Sequence, residues 1–345
     1  MTPGVAVVGV GPWGANHARV FGSLGALAAV TDIDRARAEA IAGRHAVPAL
    51  AFEAVLGDPT IGAVVIAAPA ATHEVLARAA LGAGKDVLVE KPLALDLDEA
   101  AGLVECARAG ARILMVGHVL RYHPAVEALH ALVAAERLGR LRYMHATRLN
   151  LGRIRREENI LWSFAPHDIS MILALAGAMP VRVRAIGSRH LDDAVADVTS
   201  TALEFADGLV AYGFVSWLHP FKEQRLTVVG DAAMAVFDDG RPWPEKLIVV
   251  PCRVRFDVDT PVPEASAAEP VPLVPREPLK AEARHFLARV ADRAAPLTDG
   301  AEGLRVLAVL EAAERSMRRA LPCAPRVAVS AAAARAASAK IEVSS

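Results

Sequence analysis

Residues 5–14 read VAVVGVGPWG, a run of small and β-branched apolar residues that leads into closely spaced glycines. Such a run is typical of a strand buried on both faces, and the glycines allow a sharp turn into a helix. Gly9 permits the turn, Gly11 leaves room for a phosphate, and Gly14 lets the helix pack closely on the strand. The N-terminal N–H groups of that helix would face the pyrophosphate of a dinucleotide. The residues expected to contact the cofactor here are Gly9, Gly11, Pro12, Trp13 and Gly14.

An acidic residue at the end of the next apolar run supports this interpretation. Asp32 follows the run Ala26 to Val30, at the distance where a ribose-binding carboxylate belongs. Its charge would repel a 2′-phosphate, which favours NAD over NADP, although Arg35 and Arg37 lie nearby. Two alternatives stay open, because Asp34 could take the ribose role and a glycine turn can occur in an α/β domain without any ligand.

Apolar strand-like runs alternate with helical stretches through the first third of the chain. This alternation predicts a parallel sheet covered on both faces, a doubly wound α/β domain. Ligands bind such sheets beyond the carboxyl ends of the strands. The residues expected to line that edge are Gly9, Asp32, Pro69, Glu90 and Gly117.

Lys91 lies between Glu90 and Pro92, directly after a predicted strand. Pro92 keeps the chain extended at this point, which would hold the lysine at the sheet edge beside the cofactor. Its ammonium could polarise a hydroxyl or carbonyl oxygen of a substrate. The alternative is a solvated surface lysine.

Three segments together resemble a known family: GVGPWG at 9–14, AAPAATHEVLARAALGAGKDVLVEKPLA at 67–94 and HDIS at 167–170. The chain resembles the glucose–fructose oxidoreductase, inositol dehydrogenase and rhizopine-catabolism (Gfo/Idh/MocA) family from residue 4 to about residue 320. The resemblance implies a Rossmann domain in which Lys91 contacts the reacting sugar oxygen. It also implies cofactor-lining roles for Pro69, His73 and Glu90.

A second set of candidate residues lies between 152 and 170. Three arginines, Arg153, Arg155 and Arg156, suit an anionic ligand, but they could equally form a solvated loop paired with the adjacent Glu157 and Glu158. A helix is predicted from about Pro166 to Ala176, with His167 and Asp168 at its start. From the residues alone, His167 could be a proton-transfer group or a buried histidine satisfied by backbone.

The family resemblance implies that His167 acts with Lys91 on the substrate. Many family members carry an aspartate four residues before this histidine, where this chain has Ser163. The segment LNLGRIRREENILWSFAPHDIS most resembles the branch that acts on nucleotide-linked amino sugars. That resemblance assigns substrate contacts to Lys91, Arg153, Arg155, Arg156, Ser163, His167 and Asp168.

Successive strand-like runs after residue 180 predict an α+β domain with a large, open, mainly antiparallel sheet. We expect a Rossmann domain at 1–121, a substrate-binding and oligomerisation domain at 122–322, and a flexible Ala/Ser-rich tail at 323–345. Residues 253–278 are predicted to form a Pro-rich loop. An exposed sheet face would suit a homodimer or homotetramer.

Composition excludes several classes of protein. The 38 Lys and Arg residues balance the 39 Asp and Glu residues, so no basic field for nucleic acid is expected. The three cysteines form no CxxC pair and predict neither disulfides nor a metal site. No signal peptide or membrane span is apparent, which predicts a cytoplasmic protein.

The motifs predict an NAD-dependent oxidoreductase. The resemblance implies that it oxidises the C3 hydroxyl of a nucleotide-linked amino sugar, UDP-N-acetylglucosamine or its uronic acid. His167 would be the base and Lys91 would stabilise the alkoxide, or these roles could be exchanged. Two alternatives are a dehydrogenase or ketoreductase of another sugar or polyol, such as inositol or a deoxysugar, and a non-catalytic regulator that senses dinucleotide.

Overall fold

A computed structural model describes residues 4–152, 154–156, 158–191, 194–257 and 260–319. They fall into two compact units. The first extends to His118 and includes Leu279–Leu307, while the second comprises Val119–Pro278 and the residues that follow Leu307. The sequence instead predicted a boundary at residue 121 and placed 279–307 in the second domain. The predicted tail, 323–345, lies outside the described residues.

The first unit is built on a five-stranded parallel sheet in the order β2-β1-β3-β4-β5. Its strands are apolar and almost wholly buried, as expected for a sheet covered on both faces. They are β1 (Gly4–Val8), β2 (Leu27–Thr31), β3 (Ile61–Ile66), β4 (Asp86–Glu90) and β5 (Leu114–Gly117). The helices between them are α1 (Pro12–Ser23), α2 (Arg35–His45), α3 (Phe52–Gly57), α4 (His73–Gly82) and α5 (Leu97–Ala109). The doubly wound prediction is confirmed, although the short α3 was not predicted.

Residues from the far end of the chain complete this unit. Helix α8 (Pro278–Asp292) buries Phe286, whose ring packs edge-on against Phe21 of α1 at 6.4 Å between centroids. Beyond α8, Thr298 exchanges two hydrogen bonds with the backbone of Val116 in β5, both at 2.8 Å. These contacts explain why 279–307 belongs with the parallel sheet.

The second unit contains a nine-stranded sheet. Its strands are β6 (Leu141–Leu149), β7 (Arg182–Ser188), β8 (Val198–Glu204), β9 (Val210–Ser216), β10 (Glu223–Gly230), β11 (Ala233–Asp238), β12 (Leu247–Asp257), β13 (Thr260–Ala265) and β14 (Glu269–Pro270). The order is β13-β12-β11-β10-β6-β9-β8-β7, with β14 paired to β12. Among the described residues of this second sheet, only β6 and β9 pair in parallel, so the predicted open, mainly antiparallel sheet is confirmed.

The predicted loop at 253–278 is wrong in its first half. Strand β12 continues to Asp257, and β13 and β14 follow it. Pro261 and Pro263 misled the prediction because proline cannot donate to a sheet. Strand β13 is the last in the sheet order, and an edge strand tolerates prolines.

Helices α6 (Pro124–Ala134) and α7 (Ile160–Ala176) belong to the second unit, and α9 (Gly300–Arg319) has residues in both. The prediction that α7 begins near Pro166 is wrong. The helix starts at Ile160, where the Asn159 side chain accepts a hydrogen bond from the Trp162 N–H. Pro166 therefore lies inside the helix, because buried apolar residues on both sides hold the chain helical despite the missing N–H. In the described ranges, no helix has the length and apolarity needed to cross a membrane.

Candidate active site

The carboxyl ends of the parallel strands lie side by side. Val8 pairs with both Thr31 and Ile66, and Glu90 pairs with Gly117. The structure therefore brings the residues predicted for this edge together. Gly9, Asp32, Glu90 and Gly117 end or directly follow one of these strands, and Pro69 lies three residues beyond the end of β3.

The glycine loop has the geometry that a pyrophosphate needs. Gly9 adopts a positive φ of 80°, which a residue with a side chain rarely does. A Cβ on Gly14 would lie 1.8 Å from the Gly9 carbonyl oxygen, whereas a Cβ on Gly11 would meet nothing within 4 Å. No side chain among the described residues caps the N-terminus of α1, so its first N–H groups can receive an anion. The loop therefore fits a dinucleotide, with Pro12 and Trp13 in the first turn of the helix.

Asp32 follows β2, and its carboxylate is bound into the glycine loop. Its Oδ2 accepts the Val10 N–H at 2.8 Å, and its Oδ1 accepts the Asp34 N–H at 2.9 Å. Each carboxylate oxygen has more than one acceptor site, so both can also accept from a ribose hydroxyl. Asp34 has a different role, because it caps α2 by accepting the Arg37 N–H at 3.1 Å. This arrangement favours Asp32 over Asp34 as the ribose ligand.

His73 is buried and connects two loops at the edge. Its Nδ1 lies 2.7 Å from the Pro92 carbonyl oxygen and its Nε2 lies 2.9 Å from that of Ala68. The histidine thus fixes the segment after β3 to the segment after β4. Pro69 is exposed beside it and accepts two hydrogen bonds from Thr72.

Glu90 is a buried carboxylate at the end of β4. The Trp13 indole N–H donates to it, and His17 Nε2 lies 2.7 Å from the same oxygen. Burial opposes its ionisation, but the contacts with His17 and Trp13 outweigh that effect and hold the pKa of Glu90 below its ordinary value. The carboxylate also accepts the Lys91 backbone N–H at 3.3 Å. Lys91 itself is half-buried, directly beyond the strand.

Two residues near Glu90 were missed by sequence reasoning. His17 is one turn after Trp13 on α1, and this i, i+4 spacing places both side chains on one helix face. Glu282 is on α8, where it occupies a position in the buried stripe with Leu279, Ala283 and Phe286. A carboxylate within an apolar helical stripe is a signal that could have found it.

His167 is a half-buried residue in the middle of α7, and it belongs to the second unit. Ser163 is buried one turn earlier on the same helix. Asp168 is also buried and forms a two-pronged ion pair with Arg148 of β6, at 3.0 and 2.6 Å. This pair holds α7 against the sheet, so Asp168 has a structural partner that the sequence did not predict. The sequence does contain a signal for this pair, because Arg148 lies on the same face of β6 as the buried Met144 and Ala146.

The predicted arginine cluster is only partly described. Arg155 is exposed and pairs with Glu158 at 2.7 Å, and Arg156 is exposed as well. Arg153 and Glu157 lie outside the described residues. The Arg155–Glu158 pair is what the solvated-loop alternative predicts.

Comparison with known proteins assigns the chain to a family. Residues 4–118 match the profile described as an oxidoreductase family with an NAD-binding Rossmann fold, and residues 126–236 match the GFO/IDH/MocA C-terminal domain. The chain belongs to the GFO/IDH/MocA family. As a member of this oxidoreductase family it has an NAD-binding Rossmann fold, which confirms the resemblance inferred from its motifs.

Characterised relatives of this oxidoreductase include dehydrogenases with different substrates. UDP-N-acetylglucosamine 3-dehydrogenase of Acidithiobacillus ferrooxidans is 31% identical over 88% of this chain and 93% of its own length. Its solved structure has a TM-score of 0.81, at 29% identity, and covers 91% of this chain and 97% of that one. Inositol 2-dehydrogenase of Rhizobium meliloti is 29% identical over 70% of this chain and 77% of its own. A structure of GenD2 from gentamicin A biosynthesis in complex with NAD has a TM-score of 0.80, at 26% identity. The match covers 94% of this chain and 97% of that one.

Alanine substitution at two neighbouring glycines should separate stability from cofactor binding. In Gly14→Ala the new methyl would collide with the Gly9 carbonyl, which should cost about 1–3 kcal/mol of unfolding free energy and outweigh the gain in helix propensity. In Gly11→Ala the methyl has space, so stability should stay within about 0.5 kcal/mol of the parent. That methyl would occupy the phosphate's place, so affinity for the dinucleotide should fall.

Urea unfolding and a fluorescence titration with NADH would measure the two effects. A Gly11→Ala protein that binds NADH as the parent does would contradict the assignment of the pyrophosphate to this loop.

Proposed function

We propose that this protein is an NAD-dependent dehydrogenase that oxidises the C3 hydroxyl of UDP-N-acetylglucosamine, or of its uronic acid, to the 3-keto sugar. The main support is the 31% identity to UDP-N-acetylglucosamine 3-dehydrogenase, which extends over 93% of that enzyme. The same relative shares the fold over both units. The protein would act on a small-molecule substrate as a homodimer or homotetramer.

Asp32 supports NAD as the cofactor rather than NADP. Its side chain is 4% exposed and is already oriented by the Val10 and Asp34 N–H groups. A 2′-phosphate would have to approach this fixed negative charge, while two ribose hydroxyls could donate to it. Arg37 lies 3.4 Å from both carboxylate oxygens and only partly offsets the charge, because half of its side chain is in solvent.

Lys91 and His167 are proposed as the catalytic residues. When bound, NAD⁺ accepts the hydride that leaves C3 of the sugar. An imidazole nitrogen of His167 takes the proton of the C3 hydroxyl, and the Lys91 ammonium stabilises the negative charge that develops on that oxygen. The strand end, the Glu90 hydrogen bond to its backbone and the adjacent proline would hold Lys91 in place. The reverse assignment, with Lys91 as the base, uses the same two groups.

Inositol oxidation is the second candidate. It is favoured by relatives such as the Rhizobium meliloti inositol 2-dehydrogenase, which aligns over both units. The arginines after residue 152 favour the nucleotide sugar, since a diphosphate would need cationic partners that inositol does not. Against this, Arg155 already pairs with Glu158.

The deciding experiment is an assay of NADH absorbance with NAD⁺ and a panel of substrates. The panel holds UDP-N-acetylglucosamine, its uronic acid, UDP-glucose, myo-inositol and free N-acetylglucosamine, with a coupled aminotransferase to draw off a keto product. A signal confined to the UDP-N-acetyl sugars is expected. A signal with inositol alone would replace the proposal by the second candidate, and silence with intact NAD binding would favour a dinucleotide sensor.

Loss of Lys91 should strongly reduce turnover and spare cofactor binding. In Lys91→Ala, kcat should fall by about 10²–10⁴-fold because the developing alkoxide loses its counter-charge, while the Kd for NADH should change little. Lys280→Ala, at a half-buried lysine on α8, is the matched control and should keep its rate.

The same comparison applies to the histidine. His167→Asn should lose rate in the same range, whereas His130→Asn, at an exposed residue on α6, should not. Normal rates in both Lys91→Ala and His167→Asn would overturn the catalytic assignment.

Cofactor preference should depend on Asp32 and not on Asp34. Asp32→Ser removes the charge that faces a 2′-phosphate, so the ratio of kcat/KM for NAD to that for NADP should fall by about tenfold or more, equivalent to about 1.4 kcal/mol. Asp34→Ser keeps a good helix cap and should leave the ratio unchanged. A shift in the Asp34 variant alone would assign the ribose to Asp34.

A further inference from the structure

Three ionisable side chains from distant parts of the sequence meet inside the first unit. They are His17 of α1, Glu90 at the end of β4 and Glu282 of α8, which are 1%, 7% and 0% exposed. One potential ligand atom from each lies within 4.8 Å of the other two. Helices α1 and α8 already pack together through Phe21 and Phe286, so the cluster lies against a fixed apolar contact.

Glu282 is the member of the cluster whose burial is not compensated by hydrogen bonds. Neither of its carboxylate oxygens has a hydrogen-bond partner among the described residues, and both are shielded from solvent. His17 Nδ1 is buried without a partner in the same part of the structure. Polar atoms buried in this way are rare in native proteins, and each needs a ligand, a water or a proton to satisfy it.

A second histidine–glutamate pair is buried in the same unit and serves for comparison. His118 Nδ1 contacts Glu302 Oε2, and both residues are buried. No further carboxylate accompanies that pair in any three-residue cluster found among the described residues. The Glu90 carboxylate is likewise satisfied without Glu282, since Trp13 donates to it and His17 Nε2 contacts it. Glu282 is therefore an additional carboxylate, and it increases the electrostatic cost of the cluster.

We propose that His17, Glu90 and Glu282 form a binding site for one divalent transition-metal ion of the Zn²⁺ type. Two carboxylates and a neutral imidazole balance the charge of such an ion, and they form the mixed nitrogen and oxygen set that it prefers. Donor atoms about 2.0–2.2 Å from zinc lie roughly 3–4 Å apart, so small side-chain rotations from the present positions would bring these three ligand atoms to one ion. The Trp13 indole N–H then orients the Glu90 carboxylate from outside the coordination sphere.

The ion would have a structural role. It would join three elements: α1, which follows the glycine loop, β4, which precedes Lys91, and α8 from the far end of the chain. Because the three ligands come together only in the folded protein, binding stabilises that state and raises Tm. The sequence does not reveal this site, since its ligands are separated by 73 and 192 residues.

Metal binding to the full-length protein tests the proposal. The purified chain is stripped with a chelator, dialysed against Zn²⁺ or Co²⁺, and assayed for bound metal by mass spectrometry and for Tm by calorimetry. About one equivalent of Zn²⁺ per chain and a higher Tm are expected. Bound Co²⁺ should show visible bands without a thiolate charge-transfer band, which separates this site from binding at any of the three cysteines.

Two glutamine variants form the matched comparison. Glu282→Gln removes one ligand and should weaken Zn²⁺ binding by about 100-fold or more, since even outer partners of a metal site contribute about 10–100-fold. Its metal-free form should fold at least as well as the parent, because a neutral amide of the same shape replaces a buried carboxyl that can carry a charge. Glu302→Gln removes a buried carboxylate of the other pair and should keep the bound metal.

Two results would overturn the proposal. One is a parent protein that takes up no Zn²⁺ or Co²⁺ above the level of Glu282→Gln. The other is an increase in Tm that persists unchanged in that variant. Either would mean that Glu282 is satisfied by a proton, which burial and the nearby Glu90 charge favour by raising the pKa of Glu282 well above its ordinary value. Neither result depends on the dehydrogenase assay.

Discussion

In a parallel sheet every strand presents its carboxyl end at the same edge, and the proposed active site of this protein depends on that constraint. Strands β1, β2 and β4 end next to the glycine loop, Asp32 and Lys91 in turn. The Val10 N–H then fixes Asp32 to the loop, so that the carboxylate proposed to bind the ribose is held beside the glycines proposed to bind the pyrophosphate. The register of the strands brings the glycine loop, Asp32 and Lys91 to the same edge of the sheet.

The buried Glu90 carboxylate is the second constraint. It accepts hydrogen bonds from Trp13 in α1 and from the backbone of Lys91, so one charged group links the helix after the glycine loop to the proposed catalytic lysine. A buried charge of this kind is tolerated only when hydrogen bonds and ion pairs surround it. His17 and Trp13 supply them, and the same environment makes the nearby Glu282 costly unless a proton or a cation satisfies it.

Sequence reasoning failed where neighbouring structure overrides a local signal. Pro166 predicted a helix start, but the Asn159 cap and the buried residues around the proline carry α7 through it. Pro261 and Pro263 predicted a loop, but an edge position in the sheet makes their missing N–H groups harmless. The ion pair between Asp168 and Arg148 was not predicted, because the partner is 20 residues away and only the packing of α7 on β6 brings it near.

Local pattern by itself determined the parallel sheet, the glycine turn and the position of Lys91 after a strand. These features depend on side-chain size, backbone freedom and periodicity, which are properties of short segments. Only the tertiary structure decided that residues 279–307 complete the first unit and that His17, Glu90 and Glu282 share one buried site. The physical reason is that packing free energy and the cost of buried charge arise between segments far apart in the chain, where no local pattern records the partner.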